Sequence, residues 1–448
     1  MDHGVTARPN YRMLTIYLTG IFMGALDTNV VGPVFTLITH SFRVSLGWTA
    51  WTVTAYTVAY IASTVLAGAV GDRMGHKRMF VLGIVAFGLA SVLAAVSPVF
   101  WVFVAARAIQ GIGAGAVYPN AQAEGIRQFP PEKKGMALGI FGAVFGIASI
   151  VGPTVGGILG QFLGWPAVFL VNVPIALGVL VVARRLPSSD VHARPLPDVA
   201  GGLSFSAMLA MLLLFVMITS NQRWVFLAVG LVLVGSFISR QRRAAVPFLD
   251  TRPLANSAGI AMMAGAALIG LDMSAAIFVP TLVQRALHFS VVASGLALLP
   301  AAFSGALLSG VGGVMTDRVG PRKVLTIGLV AGAGGGLLLA WPPLVMVRFI
   351  LAMILLGTGT AFTMGAPLNR MALALYRDDQ AGEALSLIAV FRGIGVAAGP
   401  IILTSAQVFH GFTGMFGSVF VASLVGVVAF LFVPNVRPAP RAKVAPEG

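Results

Sequence analysis

A few ionisable side chains, Asp27, Arg107, Asp272, Arg348 and Arg392, interrupt long apolar stretches of this sequence, and their types limit the chemistry open to it. Of 14 acidic residues, only Asp27 and Asp272 lie well inside apolar runs, and Arg107 lies inside another run at a depth similar to Asp27. An unpaired anion buried in hydrocarbon costs several kcal/mol, so such carboxylates are functional candidates by default. Two behaviours are open for Asp27: a static ion pair with Arg107, or reversible protonation with Gln110, Thr28 and Asn29 supplying hydrogen bonds nearby. Asp272 has only Arg348 and Arg392 as charged candidates for a partner. Enzyme chemistry is poorly represented. His3, His40, His76, His192, His288 and His410 are scattered without metal-ligand spacing, cysteine is absent, and no G-x-x-x-x-G-K-[ST] loop occurs. The expectation is no catalytic residue, no metal, no cofactor and no ATP-driven step, leaving an ion gradient or the substrate itself as the energy source.

The elements that hold these residues are long and apolar. A chain of 448 residues with 58% hydrophobic and 10% charged residues, and a mean hydropathy of +0.93, is an integral membrane protein without a sizeable soluble domain. Apolar windows of spanning length fall at about 13–37, 48–70, 79–97, 101–123, 135–160 and 165–183, and again at about 256–283, 292–315, 322–340, 343–366, 383–407 and 413–433. Two more, at about 201–219 and 223–239, lie between these sets. The predicted fold is therefore all-α, with fourteen membrane spans: an N-terminal six-helix bundle over 1–187, linkers with two extra helices over 188–255, and a C-terminal six-helix bundle with a short tail over 256–448.

An internal repeat supports that division. The segment GDRMGHKR at 71–78 returns as TDRVGPRKV at 316–324, and the offset that superposes Asp72 on Asp317, Arg73 on Arg318 and Gly75 on Gly320 also superposes Asp27 on Asp272. Weak repeats in a polytopic chain are a signature of secondary transporters. Each DR-x-G segment reads as a tight turn in which glycine permits the backbone and basic residues meet anionic headgroups. Asp72 is placed either to cap a neighbouring helix in one conformational state or to neutralise Arg73 or Arg78.

Charge sets the orientation. Most of the 29 Lys and Arg residues, among them Arg73, Lys77, Arg78, Lys133, Lys134, Arg184, Arg185, Arg242, Arg243 and Lys323, fall on one side of the fourteen-span arrangement, whereas Arg43, Arg223 and Arg285 fall on the other. The crowded side is expected to be cytoplasmic, with both termini there, and Trp48, Trp51, Trp101, Trp165, Trp224 and Trp341 mark the outer interface. The net charge of +15 is then a topology determinant, and nucleic acid is not an expected partner. The fifth span adds a stripe of small residues, Gly135, Gly139, Gly142, Gly146, Ser149, Gly152, Gly156 and Gly160, broken by Pro153. Such a stripe admits close helix approach, and the proline should bend the span.

Taken as a set, these residues resemble the major facilitator superfamily, and within it the fourteen-span drug:proton antiporters of multidrug efflux. Gly68, Asp72, Arg73, Gly75, Lys77 and Arg78 are similar to its loop motif, with Asp317, Arg318 and Gly320 as the looser second copy. Arg107, Gln110, Gly111, Gly113, Ala114 and Gly115 are similar to its fourth-span R-x-x-Q-G-x-G-A. Gly152, Pro153, Gly156 and Gly157 match the G-P-x-x-G-G element associated with antiporters. Leu26 with Asp27, Trp51 with Thr54, Ala55 and Tyr56, and Phe169 with Asn172 and Pro174 resemble further motifs of the first, second and sixth spans. His76 replaces a usual basic residue, and Gly32 stands where an Asn is expected.

The resemblance implies alternating access in a bacterial inner membrane, with proton influx driving export of amphipathic, cationic drugs and hence antibiotic resistance. It implies proton coupling at Asp27, Arg107 and Asp272, a substrate cavity near Thr28, Asn29, Gln110 and Tyr56, and gating at the two loop motifs. Protons, a small-molecule substrate and the lipid bilayer are the expected partners of a monomer. A dedicated exporter of one metabolite or antibiotic, a lipid flippase and a non-transporting membrane sensor are the alternatives.

Overall fold

The structure is a computed structural model and describes residues 11–127, 129, 134–184, 198–249, 256–364, 366–373 and 381–434. Lys133, Arg185, the division points near 187 and 255, and both chain termini lie outside the described residues, as does the side chain of Lys134.

Every described element is helical. The N-terminal half contains α1 (Tyr11–Phe42), α2 (Leu46–Met74), α3 (His76–Ala95), α4 (Phe100–Arg127), α5 (Lys134–Leu163), α6 (Ala167–Leu170) and α7 (Asn172–Ala183). A central hairpin follows, α8 (Val199–Met217) and α9 (Arg223–Arg243). The C-terminal half contains α10 (Ser257–Ser274), α11 (Val279–Ala286), α12 (Val291–Leu296), α13 (Leu299–Val319), α14 (Pro321–Ala340), α15 (Met346–Thr363), α16 (Ala366–Leu373) and α17 (Ala381–Leu431). Twelve of the described helices are long and apolar enough to cross a membrane, each counted through any short interruption. Two features complicate that number. Ala167–Ala183 is apolar but shorter, and α17 breaks at His410 (φ −134°) and Gly411 (φ +62°), so that its 51 residues form two helices end to end.

The helices alternate in direction and so define two ends. All six tryptophans lie near one of them, at the starts of α2, α4 and α9, before α6 and after α14. At the other end, α2 and α13 both stop at a glycine in a left-handed conformation, Gly75 (φ 94°) and Gly320 (φ 91°), whose N–H returns to Gly71 O and Thr316 O. A side chain is strained at that φ, which is why the repeated motif has glycine there. Between the ends, backbones approach closely: a Cβ at Gly111 of α4 would lie 2.2 Å from the Tyr56 carbonyl oxygen of α2, and one at Gly270 of α10 would lie 2.0 Å from the Arg392 carbonyl oxygen of α17. In lipid, where apolar burial gives little net drive, this close packing holds helices together.

The two halves meet along a seam. Hydrogen bonds across it run from Thr36 Oγ1 to Gln284 Oε1 (2.5 Å), from Gln284 Nε2 to Pro33 O (3.0 Å), from Thr54 Oγ1 to Ala397 O (2.8 Å) and from Val292 N to Gln161 Oε1 (3.1 Å). Each lies in the half of the molecule nearest the tryptophan end. Gly393 packs on Ile61 near mid-depth. The central hairpin rests on both halves through α8, which packs against α2 and α17. Trp51 Nε1 donates to Met217 Sδ (3.0 Å), and Phe248 beyond α9 packs on Gly202 beside Leu66.

Candidate functional site

Asp27 sits on α1 with its side chain 0% exposed, enclosed by α4 and α7. Arg107 of α4 donates through Nη1 to Asp27 Oδ2 at 2.5 Å and to Gln110 Oε1 at 2.7 Å, and through Nε to Thr52 O at 3.0 Å. Asn172 Nδ2 donates to Asp27 Oδ1 at 2.8 Å, with Gln110 Nε2 further away at 3.4 Å. Gln110 is itself held by Ser91 Oγ of α3 at 2.7 Å. The Arg107 guanidinium lies over the Tyr56 ring (4.5 Å) and near the Phe169 ring (5.4 Å). Helices α1, α2, α4, α6 and α7 thus converge on one ion pair, with α3 behind Gln110, and its charges are compensated by hydrogen bonds and an aromatic face. Removing either partner from such a pair strands the other and costs about 3–5 kcal/mol.

Asp27, Arg107 and Gln110, expected together from sequence, meet in the structure, and Tyr56, expected only in the substrate cavity, lies beneath the Arg107 guanidinium. Thr28 and Asn29 differ: Thr28 Oγ1 donates to Gly24 O (3.0 Å) and Asn29 Nδ2 to Ala25 O (2.7 Å), so neither binds the carboxylate. Residues next to Asp27 in the helix point to other faces, and short polar side chains satisfy themselves on the preceding turn. Asn172, Ser91 and Thr52 were not assigned to this site from sequence. Asn172 and Ser91 are polar groups inside otherwise apolar spans, and Asn172 also stands in the sixth-span motif, whereas Thr52 takes part only through its backbone carbonyl, which no side-chain pattern announces.

Asp272 has a sparser environment. Ser423 Oγ donates to Oδ2 at 2.5 Å, Gly332 of α14 faces it, and Oδ1 is buried with no partner among the described residues. Neither arginine considered from sequence reaches it: Arg348 donates to Pro343 O and Arg392 Nη1 to Met364 Sδ at 3.6 Å. The repeat places Asp272 where Asp27 stands, but the residue corresponding to Arg107 is Ala352.

At the loop motifs, Asp72 Oδ1 lies 3.2 Å from His76 Nε2, and His76 Nδ1 lies 2.8 Å from Asn120 Oδ1, so the unusual His76 ties α3 to both α2 and α4. The second copy pairs Asp317 with Arg370 of α16. Gly68 faces Pro119. Arg73 and Arg318 stand in the last turns of α2 and α13, and Lys77 and Arg78 in the first turn of α3. In α5, a Cβ at Gly152 would meet Asn29 at 2.5 Å and one at Gly156 the Val30 carbonyl at 2.3 Å, both on α1. Gly157 and the Pro153 carbonyl instead face Val291, Val292 and Gly295 across the seam, so this element belongs to the interface between the halves.

The sequence model described as Major Facilitator Superfamily matches residues 17–239 and 260–448. Multidrug resistance protein 3 of Bacillus subtilis is 29% identical over 424 residues, covering 90% of this chain and 81% of that protein. The tetracenomycin C resistance and export protein of Streptomyces glaucescens is 30% identical over 399 residues, covering 83% and 72%. Among solved structures, a D-xylose-proton symporter superposes with a TM-score of 0.70 at 15% identity, over 96% of this chain and 99% of that one.

Proposed function

This chain belongs to the major facilitator superfamily, and we propose that it is a proton-coupled antiporter that exports amphipathic small molecules by alternating access. The coarser part of that statement is established: it is a transporter-family membrane protein of the bacterial type and not an enzyme. The finer part rests on one observation above others, the fully enclosed Asp27–Arg107 pair. A proton arriving at Asp27 neutralises the carboxylate and frees the guanidinium, so protonation there changes what α1, α4 and α7 hold in common. Asp272 offers a second protonatable oxygen in the other half. The Gly152, Pro153, Gly156 and Gly157 element lies at the seam, where rocking of the halves would be felt first, and the loop motifs at Asp72, Arg73, Gly75 and Asp317, Arg318, Gly320 would gate the opposite end.

In this reading the chain crosses an inner membrane fourteen times, with the two helices of α17 and Ala167–Ala183 each counted as a span. The basic end and both termini face the cytoplasm, and a monomer suffices. Domain limits follow at 187 and 255. Multidrug and single-antibiotic resistance relatives match this chain to the same degree, so growth protection across unrelated toxic compounds is the test of breadth. The mechanism is tested by dye transport in proteoliposomes under an imposed pH gradient, comparing wild type with Asp27→Asn. Gradient-driven transport in wild type that disappears in the variant supports antiport through Asp27. Equal transport in both refutes that assignment.

A further inference from the structure

Arg392 is a charge without a counter-charge among the described residues, in the middle of the molecule. It lies on α17 immediately before Gly393, the residue that packs on Ile61 at the seam, and it is half-buried. Its one hydrogen-bond partner among the described residues is a thioether, Met364 Sδ at 3.6 Å. A thioether is a weak acceptor, and a guanidinium has five N–H donors and cannot shed its proton. On the N-terminal half, next to the Ile61 on which Gly393 packs, stands Tyr60 of α2, and Tyr118 of α4 is a second phenol within electrostatic range of Arg392. Tyr118 packs against Phe145, and the Tyr60 ring is stacked parallel to Tyr56.

The balance of charge between the halves makes this group distinctive. Asp27 is already matched by Arg107, and Asp272 is turned into the C-terminal half toward Ser423 and Gly332. Among the described residues neither intramembrane aspartate is therefore free at the seam to receive a cation, whereas a guanidinium held only by a thioether faces two hydroxyl groups and aromatic surface. We propose that Arg392, Tyr60 and Tyr118 form the polar end of the substrate site and that the exported compound carries an acidic group, a carboxylate, sulfonate or phenolate, on an aromatic body. The guanidinium fork binds the acid, the phenol O–H groups donate to its remaining oxygens, and the stacked Tyr56 and Tyr60 rings meet the apolar part. This departs from the cationic substrate expected from the family resemblance, and it deepens the transporter reading on which it rests.

The test uses two dyes that share a tricyclic xanthene body and differ in charge, fluorescein (an anion) and rhodamine 6G (a cation). Equilibrium binding to the purified full chain in detergent is measured without any gradient. Wild type is expected to bind fluorescein in preference to rhodamine 6G. Arg392→Gln should weaken fluorescein binding about tenfold to a hundredfold, the worth of a charged hydrogen-bonded contact, and leave rhodamine 6G unchanged or improved. Arg392→Lys should retain part of the affinity, and Tyr118→Phe, which removes only a hydroxyl, should cost fluorescein a few-fold. Preference for rhodamine 6G, absence of saturable fluorescein binding, or equal losses for both dyes in Arg392→Gln would each overturn the proposal. Charge-selective binding that persists while a pH gradient drives no transport would remove proton coupling and leave the anion site standing, so the two readings fail separately.

Discussion

Replacing Arg107 by Met isolates the part of the fold that depends on charge pairing. In the native protein Asp27 is 0% exposed and receives Arg107 at 2.5 Å and Asn172 at 2.8 Å. Without the guanidinium the carboxylate keeps amide donors but loses its counter-charge, a change that costs about 3–5 kcal/mol. For a folding unit the size of one bundle this lowers the apparent melting temperature by roughly 6–20 °C. Asp27→Asn strands Arg107 instead and should cost a similar amount. The double variant leaves neither charge, so it should lie well above the sum of the two losses, with a coupling energy of about 3 kcal/mol or more. Contacts of Arg107 with Tyr56 and the Thr52 carbonyl are lost in both Arg107 variants and cancel from the cycle. The assay is thermal unfolding in detergent followed by loss of the monodisperse size-exclusion peak. Additive losses, or an Arg107→Met variant as stable as wild type, would refute the claim that this pair acts as a unit.

Other consequences can be checked with single substitutions. Gly75→Ala places a Cβ at φ 94° and should destabilise the chain by roughly 1–2 kcal/mol, with Gly75→Asn between the two because asparagine tolerates positive φ better; melting temperatures rank the three. Asp272→Asn keeps an acceptor for Ser423 and removes the ionisable group, so stability should change by less than about 1 kcal/mol while gradient-driven transport falls; retained coupling would exclude Asp272 as a proton carrier. At the basic end, the Arg240 guanidinium holds the Asp198 carboxyl below its ordinary range through contacts at 2.7 and 3.0 Å. A carboxyl lowered in the folded state contributes stability above its unfolded pKa and loses it as pH falls through the folded value. Acid should therefore erode wild type more than Asp198→Asn, with the difference confined to pH below about 4 and read from melting curves across that range.

Much of this architecture was legible because membrane helices write themselves as apolar length, and the repeat wrote itself as two glycine turns with matching φ. The Asp27–Arg107–Gln110 cluster was legible for a related reason: polar groups are so rare in these spans that the few present must meet one another. What escaped was partnership that depends on rotation about a helix axis. Thr28 and Asn29 adjoin Asp27 in sequence yet bond to carbonyls of their own helix, whereas Asn172, 145 residues away, donates to it. The fourth-span and first-span residues announced their own site, but nothing in the spacing showed that Arg348 and Arg392 point away from Asp272. Span number was blurred where a helix runs short, at Ala167–Ala183, or where two share an axis across a glycine, at Gly411.

The charge of the substrate also decides what drives its export. A cation leaving in exchange for one entering proton moves no net charge, so the membrane potential contributes nothing to that cycle. A monoanion leaving in exchange for one proton moves two charges in the favourable sense when the interior is negative. Each is worth about 2.3 kcal/mol per 100 mV, and together they sustain a concentration ratio on the order of a thousandfold. With Arg392 as the seat of an acidic group, an inside-negative potential imposed by potassium and valinomycin, at equal pH on both sides, should accelerate fluorescein efflux from proteoliposomes containing inside-in oriented protein. Arg392→Gln should lose that response together with its fluorescein affinity. Efflux that follows the pH gradient but ignores the potential would mean an electroneutral exchange, and the unpaired guanidinium would then need another explanation.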